Sequence, residues 1–138
     1  MKTLSIYFLI LIAGFGLKAQ DDSKKIVFDV TSTDTKVHQS TMLMMKVMSK
    51  NYPNTTLEVM VYGEALPMLM KNQSTVAESV EAFAENENVK FTACEVSMEL
   101  IFKVGKEALL DGVGTVVNAV PDIVEKQQSG WGYIKVGK

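Results

Sequence analysis

Phe91-Thr92-Ala93-Cys94-Glu95-Val96-Ser97-Met98 changes character at its middle. Residues 89–93 (VKFTA) alternate like a strand, while from Glu95 onward the apolar residues recur at helical spacing. Cys94 therefore falls on a strand-to-helix junction. A thiol there faces the unpaired N–H groups of a first helical turn, whose partial positive charge favours thiolate over thiol. The chain holds a single cysteine. The same residue also suits the bland role of a small apolar side chain packed beneath a loop.

The alternation found at this junction repeats on both sides of it. Residues 25–31 (KIVFDVT) are rich in β-branched and aromatic side chains and apolar on both faces apart from Asp29, as in a strand covered from two sides. Residues 35–51 follow as an amphipathic helix, with Val37, Met44 and Met48 along one stripe, Leu43 and Val47 beside it, and Pro53 beyond its end. Residues 56–62 (TLEVMVY) form a second strand, stopped by Gly63. A short helical segment is expected over 65–70, with Pro67 in its first turn. Thr75 and Glu78 have capping-box spacing before a helix that turns Val76, Val80, Phe83 and Ala84 to one side.

Beyond the cysteine, the spacing predicts a helix over 95–103 with Val96, Leu100 and Ile101 facing inward, and a further turn over 106–110. A strand over 113–118, a helix over 120–128 that accepts Pro121 early, and a strand over 131–136 complete the chain. Strands alternating with helices describe βαβ units, and right-handed crossovers give a parallel sheet between helix layers. In such sheets the usable crevice lies beyond the carboxyl ends of the strands. Gly63, Cys94 and Asn118 all fall at predicted strand ends, and with Glu95 and Ser97 they make up a candidate rim.

Lys2, the apolar run 4–17 and the Leu17-Lys18-Ala19 step before Gln20 have the layout of a secretory signal peptide. The expected organisation is a signal peptide over 1–19 and one domain over 20–138, exported to the periplasm or the extracellular space. The 14 basic residues are all lysine and face 16 acids. Without Lys2 and Lys18 the balance is 12 against 16, a net charge of −4. Nucleic acid is a poor partner for such a surface, and no membrane contact is expected once the signal is removed. One cysteine forms no internal disulfide, so the fold rests on its core alone.

Other constellations are weaker. Met42, Met44, Met45 and Met48 are thioethers of the kind that hold Cu(I), but helical geometry puts Met44 and Met48 on the packing face, and the cluster is read as core. His38 has no second histidine or cysteine nearby and is read as solvated or capping rather than as a ligand. Gly112-Val113-Gly114 precedes its strand and has Val117 at the third glycine position, unlike a dinucleotide fingerprint. No metal or organic cofactor is implied.

Four stretches in order, KIVFDV, VMVYGEALPMLMKN, VKFTACEVSM and GVGTVVNAVPDIVEKQQSGWGYIKV, resemble the DsrE/DsrF-like family of sulfur-relay proteins, in its stand-alone, exported branch. The resemblance implies a three-layer α/β/α sandwich with a five-stranded, mainly parallel sheet, assembled as a homotrimer or homohexamer. It also implies a persulfide-carrying cysteine after the third strand, which is Cys94, serving a sulfur donor or acceptor protein or a small sulfane-sulfur compound. Glu95 and Glu99 follow the cysteine where many members of this branch carry basic residues, and Asn118-Ala119 replaces a Ser-Gly pair. These acids would oppose the thiolate and repel anionic donors. They motivate the alternative expectation, a non-catalytic oligomeric ligand-binding or interaction module on the same fold.

Overall fold

The computed structural model describes residues 23–137; the signal peptide expected over 1–19 lies outside them. Five strands, β1 (Lys25–Val30), β2 (Thr56–Val61), β3 (Val89–Cys94), β4 (Gly114–Val116) and β5 (Gly132–Val136), form one sheet in the order β4-β3-β2-β1-β5. Every pairing is parallel. Hence the fold is the expected α/β sandwich, with its sheet wholly parallel.

Strand order dictates where the helices go. From β1 through β4 the chain steps in one direction, so right-handed crossovers place α1 (Thr35–Asn51), a 3-10 segment (Gly63–Leu69) and α2 (Ala77–Ala84) on the same side. From β4 it must return across the whole sheet to β5, and the same handedness puts α4 (Ala119–Gln128) on the opposite side. α3 (Glu95–Ser97) runs straight out of β3 and widens into a π turn over Met98–Phe102. Among the described residues no helix is long and apolar enough to cross a membrane.

The α1 and α2 side holds the main core. Phe28, Leu57, Val59 and Phe91 from the strands pack with Met42 and Met45 of α1 and Val80 of α2. Burying each of these large side chains is worth about 1.5–3 kcal/mol. The other side has a smaller apolar cluster of Val27, Met60, Cys94, Ala119 and Ile123, with Tyr62, Val116 and Trp131 packed against it. Polar groups share that side. Glu58 accepts from Thr92 Oγ1 at 2.8 Å and pairs with Lys126 at 3.3 Å, and Lys126 also reaches Asp122 at 2.7 Å and lies over the Trp131 ring. These contacts fasten α4 to the sheet.

Several helix faces differ from their sequence readings. The buried line of α1 is His38, Thr41, Met42 and Met45, so the expected stripe of Val37, Met44 and Met48 only flanks the core and Leu43 and Val47 are exposed. His38 is not solvated: it is buried, with Nε2 2.8 Å from the Ser32 carbonyl. The cap of α1 is Asp34, which accepts from the Lys36 N–H at 2.9 Å. Pro67 stands late in its segment rather than in a first turn, which 3-10 geometry allows here. No side-chain cap forms at α2, because its N-cap position falls on Val76, which has no side-chain acceptor; Ser74 Oγ accepts from the Val76 N–H at 3.2 Å. Beyond the cysteine, Val96, Leu100 and Ile101 point outward, while Ser97 and Met98 are buried. The junction fixes this rotation, since Ser97 is drawn onto Gly63 and Met98 into the main core.

Candidate functional site

Cys94 ends β3 opposite Val116 of β4, and with an extended backbone it caps α3. Its side chain points to the α4 side of the sheet and is 3% exposed. Sγ accepts from the Ala119 N–H at 3.5 Å and lies 3.9 Å from the Val117 carbonyl oxygen, to which the thiol donates. That carbonyl also accepts from the Val96 N–H at 3.1 Å, so the turn between β4 and α4 is tied across the sulfur. Ala119 opens α4, and Asn118 caps it by accepting from the Val120 N–H at 3.2 Å. Two helix starts therefore converge on one thiol, one through chain continuity and one through a direct amide contact.

The candidate rim residues split into two groups. Gly63 donates its N–H to Ser97 Oγ at 2.8 Å, which ties the end of β2 to the first turn after Cys94. It does so with φ +61, a left-handed conformation that costs other residues strain. Gly63, Ser97, Cys94 and Asn118 thus stand around the carboxyl ends of β2, β3 and β4. Glu95 belongs to the second group. Its carboxylate is 2.7 Å from Lys106 Nζ and accepts from Thr115 Oγ1 at 2.6 Å. The hydrogen bond from Lys106, and secondarily that from Thr115, holds its pKa below the ordinary carboxylate value. Lys106 gets there because the chain doubles back through Lys103, at φ 56. The acidic neighbour is therefore compensated by a lysine from the far side of that bend.

The candidate rim read from the sequence included neither Asp29, noted there only as the lone acid of its strand, nor Tyr62. The register that sets Val61 beside Ala93 puts Tyr62 next to Cys94 on the α4 side, where it packs against the same cluster. The Tyr62 hydroxyl donates to Asp29 Oδ2 at 3.2 Å, Tyr133 donates to the same oxygen at 2.6 Å, and Lys135 Nζ donates to Oδ1 at 2.9 Å and to Thr31 Oγ1 at 2.6 Å. Burial first, then the Asp29 charge, pushes the Tyr62 pKa to about 12. The hydrogen bond to Asp29 first, then burial, does the same to Tyr133. The available signal was Asp29 itself, a lone acid inside an apolar strand. Among the described residues no group of three or more His, Cys, Asp or Glu side chains is placed to hold a metal ion.

With this geometry in hand, a model of the DsrE/DsrF/DrsH-like family matches residues 10–129. The chain belongs to that family. Solved structures carry the same fold. A protein of unknown function from Methanobacterium thermoautotrophicum superimposes with a TM-score of 0.76 at 23% identity, over 82% of this chain and 99% of its own. The ychN protein of E. coli gives a TM-score of 0.67 at 12% identity, over 82% of this chain and 98% of its own. A conserved protein of unknown function from Bacteroides thetaiotaomicron gives 0.64 at 13%, over 85% and 98%. At these identities the likeness concerns fold alone. No curated protein matches the chain.

Proposed function

We propose that this family member is an exported, sulfurtransferase-like sulfur carrier, periplasmic or extracellular, that works through a persulfide on Cys94. The observation that carries the reading is the Ala119 amide aimed at Sγ where β3 gives way to α3. Cys94 thiolate attacks the outer sulfur of a donor persulfide, R–S–SH. An Sγ–S bond forms, the donor S–S bond breaks, and R–S⁻ leaves with the electron pair while the transferred sulfur keeps its proton. An acceptor thiolate then attacks that outer sulfur and Cys94 thiolate departs, so neither step needs an oxidant or a metal. The amide that meets Sγ offers a hydrogen bond to sulfur-borne negative charge in each state.

Reaction requires the turn at Val117 and Asn118 to lift from the sulfur. Both residues are exposed. The exposed apolar residues Val96, Leu100, Ile101, Val117, Val120 and Val124 around this rim support assembly as a homotrimer or homohexamer. Incubation with thiosulfate or polysulfide followed by intact-mass measurement is the test. The native protein gains one sulfur and Cys94→Ser gains none; an equal gain by Cys94→Ser overturns the reading.

The burial of Cys94 favours a second reading, a binding or interaction module in which the thiol only packs. Alkylation rate against pH separates the two. A native rate at neutral pH no faster than that of the denatured chain supports the packing role.

A further inference from the structure

On the α4 side, the carboxyl ends of the strands hold more than the thiol. Extended by one residue, the β2 to β3 register sets Tyr62 beside Cys94, and the β1 to β2 register sets Thr31 beside Tyr62. Cys94, Tyr62 and Thr31 form a row, and Thr31 lies two strand spacings, about 9–10 Å, from the cysteine. Lys135 of β5 joins the far end of the row. Its ammonium donates to Thr31 Oγ1 at 2.6 Å and stands over the Tyr62 ring, 5.8 Å from the centroid. Charge at that end is layered by depth: the Asp29 side chain is 6% exposed and that of Lys135 41%. Asp29 also divides its charge among three donors, Lys135 on Oδ1 and both Tyr62 and Tyr133 on Oδ2. An anion arriving from solvent therefore meets the ammonium first. Lys135 has three N–H donors and uses two of them, on Asp29 and Thr31. Among the described residues neither the third, nor the hydroxyl proton of Thr31, has an acceptor.

We propose, resting on the persulfide reading of Cys94, that Thr31 and Lys135 bind a carboxylate of the sulfur donor, and that the donor is an organic persulfide of about tripeptide length. One O–H and one N–H⁺ donor, side by side, match the two oxygens of a carboxylate. The row sets the length. With the outer sulfur at Sγ, the carboxylate must lie across Tyr62, two strands away. Thiosulfate cannot span this, because its oxygens sit on the sulfur next to the one transferred. The terminal carboxylate of a cysteine-containing tripeptide lies several bonds beyond its sulfur and can. The transfer itself keeps its balance: the Sγ–S bond forms, the donor S–S bond breaks, and the peptide leaves as a thiolate with the electron pair. Lys135 and Thr31 touch the donor but not the transferred sulfur, so they govern which donor is used rather than whether Cys94 reacts.

The test compares glutathione persulfide with the persulfide of glutathione diethyl ester, equal in reach but without free carboxylates. The rate at which Cys94 gains one sulfur is followed by intact mass. With the free acid, Lys135→Gln is slower than the native protein by about tenfold, the worth of one charge-assisted hydrogen bond at a half-exposed site. With the ester the two proteins react equally. Thr31→Val, which keeps the side-chain shape, loses part of the same preference, and Lys135→Arg retains it. Sulfur uptake from neither donor by the native protein defeats the Cys94 reading, and this inference with it. Uptake from both donors, with Lys135→Gln slowing both alike or neither, overturns the carboxylate site alone; equal slowing would mark Lys135 as no more than a support for Asp29.

Discussion

On the side of the sheet that carries α1 and α2, Phe28, Leu57, Val59 and Phe91 meet Met42, Met45 and Val80 with few polar atoms between them. Across the same strands, Asp29, Glu58 and Thr92 stand beside Val27, Met60 and Cys94, and their partners Tyr133, Lys135 and Lys126 come from β5 and α4. The two sides of the sheet carry opposite chemistry. Apolar packing is non-directional and strong, so the first side supplies stability. Paired and hydrogen-bonded groups gain little net energy but are costly when left incomplete, so the second side specifies geometry. The thiol sits on the second side.

The largest effect expected from breaking this contrast is on the apolar side. Phe91→Ala should cost about 3–5 kcal/mol in urea unfolding, through lost transfer energy and the cavity left behind. On the polar side, Asp29→Ala strands two tyrosine hydroxyls and one ammonium that is partly open to water, and the expected loss is about 1–3 kcal/mol. Asp29→Asn, which keeps an acceptor and the shape, should lose less than Asp29→Ala. If Asp29→Ala destabilises as much as Phe91→Ala, the division of labour between the two sides is wrong.

The next effect is confined to alkaline pH. Tyr62 and Tyr133 both have folded pKa values of about 12 against an ordinary 10.0. Below the unfolded value neither state is ionised and the network's contribution is fully present. Between about pH 10 and 12 the unfolded chain ionises while the folded one resists, so stability is lost as pH rises through that window. Urea midpoints measured across the window should fall in the native protein and flatten when Tyr62→Phe and Tyr133→Phe are combined. An equally steep fall in the double variant would place the alkaline sensitivity elsewhere.

The same contrast explains what could be read from the chain. Strands 25–30, 56–61 and 89–94 are dense in β-branched residues because both of their faces are covered, and that density is local. Their lone acids, Asp29 and Glu58, hint at a polar side, but Lys135, Tyr133 and Lys126 lie far along the chain and only the return of α4 brings them near. The face of α1 was misjudged because His38 and Thr41 are buried despite their polarity, each satisfied locally by the carbonyls of Ser32 and Val37. Val96, Leu100 and Ile101, expected to face inward, are exposed, because their spacing gives a shared face and not its direction.

The smallest effect concerns Glu95, the acid whose sign mattered most for the thiol. Its carboxylate is held below the ordinary value chiefly by the hydrogen bond from Lys106. The stability it contributes is present above that ordinary value of 4.5 and is lost as pH falls through the lowered one. Lys106→Gln should therefore flatten the acid limb of the urea midpoint between neutral pH and pH 3, and only slightly, because both side chains meet solvent and surface pairs are weak. The more informative readout is at Cys94. With Lys106 gone, the Glu95 charge beside the sulfur is no longer compensated, so alkylation should slow at low ionic strength and recover as salt screens it. Slowing that salt does not reverse would mean that Lys106 acts by shaping the bend rather than by its charge, and Lys106→Ala and Lys106→Gln would then fail alike at every salt concentration.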